Sequence, residues 1–353
     1  MSDLLKRLKK VNTLKEADVL KNSRFFVEDY HDTGIPALNI AMSGSVDGGY
    51  SKGSTLIGGE SATFKTLFCF QMAKAHLENF KDSIFVFFDI EHGSNLDTFD
   101  SMGLDTSRIY HKPFTTIEEL THDIALLLEE LTVDDEVVFV VDSLGAANTK
   151  KAIDDSRSGN SAADFTKAKA IKRFWNIVNP ELNVKKLSMF AVAQVYDSME
   201  MYGKPVFGGG KANYYMPNNR WLVTKSKETE LVKGKKEKIG SIFTVNIEKS
   251  RLIKEGSKFP ISVTWNGGIN KYSSLLEIAR ATGHVTVPTQ GWYSKDGGET
   301  KLRKKDLDSA EFWDSILDDE SFHKAVKDRY SLGSLKGEPV EIDVEQDIDQ
   351  KKE

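Results

Sequence analysis

The stretch STLIGGESATFKT, residues 54–66, decides the fold. Its first half, STLIGG over 54–59, is a short apolar run that predicts a buried strand, and it runs directly into GESATFKT over 59–66 and then a helix expected at about 65–79. This is close to the phosphate-loop pattern G-x-x-x-x-G-K-[ST]. In that pattern successive backbone N–H groups form an anion nest at a helix N-terminus, the lysine reaches the phosphates and the hydroxyl holds Mg²⁺. Lys65 and Thr66 fill the last two roles, while Phe64 stands where the second glycine belongs. Gly59, Glu60, Ser61, Ala62, Thr63, Phe64, Lys65, Thr66 and Leu67 are therefore candidate nucleotide-binding residues, with Thr66 a candidate metal contact; a plain Gly-rich turn is the alternative.

Outward from the loop, apolar runs SIFVFFD (83–89), EVVFVVD (136–142) and LSMFAVAQ (187–194) predict three more strands. Helix-like segments at about 117–131 and 162–178 lie among them. Continuous apolar strands separated by helices predict a mostly parallel sheet covered on both faces, an α/β fold. RWLVTK (220–225), SIFTVNIE (241–248) and ISVTW (261–265) follow without long helices and are expected as antiparallel additions. Open sheets bind ligands at the carboxyl edge of their strands. Two acids stand there as candidates, Asp142 to orient a Mg²⁺ shell and Glu91, two residues past Asp89, to act on an attacking water. The alternatives are a strand-end cap for Asp142 and a surface turn acid for Glu91 or Asp89.

The chain of 353 residues, with 39% hydrophobic and 29% charged residues, excludes a collagen-like or wholly disordered chain. No apolar run approaches a membrane span, and the basic start MSDLLKRLKK lacks the apolar stretch of a signal peptide, so a cytoplasmic protein is expected. The single cysteine, Cys69, excludes an intramolecular disulfide and reads as a buried small hydrophobe. The net charge of −5 is unevenly spread: Thr149–Pro260 holds 22 Lys or Arg against 11 Asp or Glu. That balance suits either a phosphate-binding surface or a solvated lysine face.

The motifs as a set resemble the RecA-type recombinases, and among them the UvsX type of T4-like phages. HDTGIPALNIAMSG (31–44), GESATFKT with its Phe, FFDIEHG (87–93), VVDSLGAAN (140–148), GGGKA (208–212), IEKSR (247–251), WNGGINKYSSLLEIA (265–279) and GWYSKDG (291–297) follow in family order. The resemblance covers roughly residues 30–335 and implies a RecA-type P-loop ATPase core, with antiparallel additions, that uses ATP and Mg²⁺. It implies roles for Lys65 and Thr66 on the phosphates and metal, Asp142 behind the metal, Glu91 as general base and Gln194 as γ-phosphate sensor. It also places Asn95 near the adenine, although the family's bacterial members carry an acid there. Lys249 and Arg251 match the pair that reaches the ATP of a neighbouring subunit in trans. Without the family, that pair reads as solvated charge.

Two segments resemble the family's DNA loops, 148–164 and 195–212; both read as too irregular for regular structure. Lys150, Lys151, Arg157, Lys204 and Lys211 are candidates to neutralise phosphates. Gly208, Gly209 and Gly210 permit close backbone approach, and Tyr196, Tyr202 and Phe207 can stack on bases or pack locally. The expected organisation is an N-terminal helical oligomerisation element over 1–30, the core over 31–282, a small C-terminal module over 283–333 and an acidic tail over 334–353. The partners implied are single-stranded and homologous duplex DNA, further copies of the chain in a helical filament, a single-strand-binding protein and a mediator. A ring helicase on the same core and a non-catalytic filament accessory protein are the competing functions.

Overall fold

A computed structural model describes residues 3–14, 16–26, 29–159, 166–196, 205–232, 235–265 and 267–333. Its centre is a sheet of strands β1 Gly53–Gly59, β2 Ile84–Asp89, β3 Ile109–Pro113, β4 Val137–Asp142, β5 Ser188–Tyr196, β6 Val206–Phe207, β7 Asn219–Val232, β8 Lys235–Lys249, β9 Lys258–Thr264 and β10 Gly268–Ile269. The spatial order is β10-β9-β8-β7-β1-β5-β4-β2-β3, with β6 pairing β5. Strands from β3 to β7 along this order run parallel, and β8, β9 and β10 continue it antiparallel. The expectation that 220–225 is an antiparallel addition is thus corrected. β7 pairs parallel with β1, and only its partner β8 reverses direction.

The helices are α1 Asp3–Lys10, α2 Pro36–Ser43, α3 Lys65–Asn79, α4 Leu96–Met102, α5 Ile117–Glu130, α6 Lys150–Ser158, α7 Thr166–Val184, α8 Ala212–Tyr215, α9 Leu275–Ala281, α10 Ala310–Leu317 and α11 Glu320–Tyr330. A small second sheet joins β11 Thr286–Thr289, β12 Trp292–Ser294 and β13 Leu302–Arg303.

Successive strand residues point to opposite faces, and each face has its own core. Phe85, Phe87, Val138, Val140, Phe190 and Val192 pack with α2 and α3. Val86, Phe88, Phe139, Val141, Met189 and Ala191 pack with α5 and α7. Burial of this kind, at about 1.5–3 kcal/mol per large side chain, makes a continuous apolar strand stable only between two helical layers. Cys69 is fully buried within the first core. Phe312, Trp313 and Phe322 of the C-terminal segment join that same core, where Trp313 stacks on Tyr272 at 6.3 Å. At the other end, α1 buries none of its residues, and Leu4 and Leu8 are each 56% exposed.

Within 148–164, the described residues 148–159 are more regular than their composition suggests. Thr149 caps α6 by accepting the Ala152 N–H at 3.0 Å, Lys151 pairs with Asp155 one turn on, and Gly159 ends the helix in the left-handed region. Capping and i,i+4 pairing supply what the polar composition lacks in apolar periodicity. Residues 160–165 and 197–204, with Asp164, Asp197, Glu200, Tyr202 and Lys204, lie outside the described residues, as does the tail 334–353.

Candidate nucleotide site and its link to the second loop

Four neighbouring parallel strands end on one edge, and the turns that follow them enclose an open cleft of about 460 Å³. Ser61 to Leu67, Glu91, Asp142 and Gln194 all line it. The loop after β1 folds tightly: Thr63 Oγ1 donates to the Glu60 carbonyl at 2.8 Å, and Lys65 Nζ donates to the same carbonyl at 2.6 Å. Lys65 is 9% exposed, and burial lowers its pKa against the opposing pull of Glu91 and Asp142. The first-turn N–H groups of α3 have no intrahelical partners and form the positive end of the helix.

Phe64 occupies the glycine position at φ 68, in the left-handed region that glycine favours. Its ring stacks on Phe243 at 4.7 Å and meets Phe68 edge-on at 5.5 Å, and those contacts hold the backbone where it is. The departure from the motif is therefore a packing solution that needs β8.

Thr66 Oγ1 donates to Asp142 Oδ2 at 2.8 Å, and the other carboxylate oxygen, Oδ1, is buried without a partner. A buried, half-satisfied carboxylate beside a hydroxyl fits a hydrated Mg²⁺. Burial is the main reason the Asp142 pKa is pushed up to about 6, with Glu91 and Asp89 adding to it and the Thr66 bond opposing it. Glu91 is exposed at the cleft and accepts the Ser143 hydroxyl at 2.6 Å, so Ser143 holds the candidate base.

Gln194, at the end of β5, lines the same cleft while its carbonyl accepts the Gly208 N–H at 2.8 Å. The Gly208 carbonyl in turn accepts from Asn213 Nδ2 at 2.6 Å, and Asn213 Oδ1 accepts from buried Trp175 Nε1 at 2.7 Å. Gly209 (φ 92) and Gly210 (φ 84) complete a turn that a side chain would strain, and a Cβ on Gly209 would come within 2.4 Å of Ile171.

Other candidate residues fall in separate places. Asn95 is not brought to the cleft: it caps α4 by accepting the Thr98 N–H at 3.0 Å and lines a different hollow. Lys249 ends β8 in register with Arg220, which lies opposite Leu56 midway along β1, and its side chain turns toward the residues that precede β7, away from the phosphate loop. Its ammonium donates to the Tyr215 and Pro217 carbonyls, each at 2.6 Å, and burial, then Arg251 and Arg220, lowers its pKa. Arg251 is exposed beside it. Neither cation lines the cleft of its own chain. Lys150, Lys151, Arg157, Lys211 and Tyr196 lie on the surface, whereas Phe207 is 2% exposed, edge-on to Tyr214 at 5.5 Å and under the Arg220 guanidinium. The expectation that Phe207 stacks on bases is corrected: its ring is spent on packing.

Sequence reasoning missed Ser143, Phe243, Lys225, Lys238 and Trp265 around the cleft and Arg220 behind the second loop. They lie far along the chain from the residues they serve, and only the strand ends at 220–225 and 241–248 hinted at them.

Comparison with known proteins places this geometry. The chain is 34% identical over 365 residues to the Recombination and repair protein of Enterobacteria phage T4, covering 100% of this chain and 92% of that one. The chain belongs to the RecA-like recombinases. The family model for the C-terminal domain of the phage T4 recombination and repair protein matches residues 272–326. More distant relatives include the protein RecA of Kineococcus radiotolerans, 23% identical with 90% of this chain and 88% of the relative covered, and that of Symbiobacterium thermophilum, 24% identical with 86% and 84% covered. As a RecA-like recombinase the chain is expected to bind a nucleotide and DNA. Among the described residues no helix is long and apolar enough to cross a membrane.

Proposed function

We propose that this recombinase polymerises on single-stranded DNA, binds ATP with Mg²⁺ at each subunit interface and promotes pairing and strand exchange with homologous duplex, hydrolysing ATP to release DNA. The observation that carries the reading is the Gln194 bridge, which puts one residue in contact with both the phosphate cleft and the GGG turn.

Lys65 exchanges its bond to the Glu60 carbonyl for phosphate oxygens, and the α3 N-terminus adds its dipole. Thr66 and Asp142 would hold a Mg²⁺ ion, which would neutralise phosphate charge when bound. Glu91, oriented by Ser143, takes the proton of the attacking water. Lys249 and Arg251 lie outside their own cleft and serve the next subunit's, which makes nucleotide a cement between subunits. The exposed Leu4 and Leu8 of α1 are the matching apolar contact for a neighbouring core. Lys150, Lys151, Arg157, Lys204 and Lys211 neutralise the DNA backbone without reading sequence, and base pairing supplies the discrimination. A single-strand-binding protein and a mediator are the accessory partners that the family resemblance carries over, and the host cytoplasm is the compartment.

The test is steady-state ATP turnover with Mg²⁺, with and without single-stranded DNA, across a salt series. Strong stimulation that fades with salt is the expected result. Turnover indifferent to DNA sinks the recombinase mechanism and favours a motor or a filament accessory protein on the same core.

A further inference from the structure

The carboxylate that ends β2 has neighbours that the nucleotide cleft does not use. Asp89 is 4% exposed, and its Oδ1 accepts the backbone N–H of His92 at 2.8 Å, where the chain turns back with His92 at φ 49. Its Oδ2 lies 3.6 Å from His92 Nδ1 and 3.3 Å from His111 Nε2, the latter delivered by β3, the strand beside β2. One donor atom from each of the three residues lies within 4.8 Å of the others.

We propose that Asp89, His92 and His111 bind a divalent transition-metal ion of the zinc class. Zinc holds nitrogen and oxygen donors at about 2.0–2.2 Å, which sets donors in a tetrahedral shell roughly 3.3–3.6 Å apart. Two of the three spacings already have that value, and the third closes by rotation of an imidazole. Both rings have the freedom: the side chains of His92 and His111 are 57% and 49% exposed, while the carboxylate they converge on is buried and held. Three protein ligands with an open outer side make an accessible site with room for water. Two imidazoles select against Mg²⁺ and Ca²⁺, which take oxygen, so this site is chemically separate from Thr66 and Asp142. Glu91 stands between two of the ligands, so an ion there clamps the segment that carries the candidate base.

The competing account is that the two histidines merely pair with a buried carboxylate. The experiment uses the full chain without an affinity tag or nucleotide, in excess Mg²⁺, titrated with Zn²⁺ against a chromophoric chelator and with Co²⁺ by its visible spectrum. Expected are one equivalent bound, an intense low-symmetry Co²⁺ band, and at least about tenfold weaker binding in both His92→Ala and His111→Ala with unchanged circular dichroism. His122→Ala, on exposed α5 surface, binds as the parent does. No stoichiometric binding, displacement by Mg²⁺, an aquo-like Co²⁺ spectrum or parent-like affinity in either histidine variant overturns the proposal. Because nucleotide is absent, either result is independent of whether the ATPase mechanism holds.

Discussion

The carbonyl of Gln194 accepts the N–H of Gly208 at 2.8 Å, joining the floor of the phosphate cleft to the glycine turn of the second loop. A displacement of Gln194 by a ligand in the cleft reaches the turn through one hydrogen bond. A Cβ on Gly208 would lie 3.0 Å from Tyr196 and 3.3 Å from the Gln194 carbonyl, so the turn has little slack.

Gln194→Ala is expected to cut the stimulation of ATP turnover by single-stranded DNA by about tenfold while leaving DNA-independent turnover nearly unchanged. Steady-state assays with and without DNA check it. Equal losses in both conditions would show that Gln194 acts only in the cleft.

Lys249→Ala and Lys65→Ala are each expected to lose turnover by about 10²–10³-fold, and mixing the two inactive proteins one to one should restore about a quarter of wild-type turnover, the share of randomly formed interfaces with both lysines intact. The physical basis is that the Lys249 side chain turns away from the phosphate loop that carries Lys65. A mixture as inactive as its components would remove Lys249 from the shared site.

Asp142 sets a pH dependence with a definite sign. Burial raises its pKa from 3.8 to about 6, so the folded protein binds more protons than the unfolded chain between those values. Stability therefore falls as pH rises through that window, and the full cost, on the order of 2–3 kcal/mol, is present above pH 6. Denaturant titrations of the nucleotide-free protein at pH 4.5 and 7 should show this contribution, and Asp142→Asn should flatten it while abolishing turnover. Adding Mg²⁺ and nucleotide should lessen the penalty, since a cation offsets the buried charge.

Phe64 is held at positive φ by its ring. Phe64→Gly relieves the backbone but loses the stacking on Phe243, and Phe64→Ala loses the ring and keeps the strain. The expected stability order is wild type, then Gly, then Ala, with the Ala variant lower than wild type by about 2–4 kcal/mol. Chemical denaturation measures it; a Gly variant more stable than wild type would contradict the packing account.

Neutralising Lys150 and Lys211 is expected to weaken single-stranded DNA binding uniformly across sequences and to reduce the salt slope by about one for each lysine that contacts a phosphate. Fluorescence-anisotropy titrations over a salt series read the slope directly. A slope that does not change places the DNA elsewhere.

The amino-acid sequence by itself determined the phosphate loop, the strand-end acids Glu91 and Asp142, and the alternation of strand and helix. These depend on local chain chemistry: a strand that ends in a turn and a helix puts Lys65 and Thr66 at the helix N-terminus whatever surrounds them. It missed β3, whose residues Ile109 to Pro113 are half-polar because the strand lies at the sheet edge, and α6, whose helix rests on a cap and ion pairs. Tertiary structure alone decided that Thr66 meets Asp142, that Gln194 holds Gly208, that Lys249 faces away from its own cleft, and that Phe64 lies on Phe243. Each of these joins residues brought together by strand order and direction. A period-two pattern reports which face of a strand is buried and carries no information on which strand lies beside it.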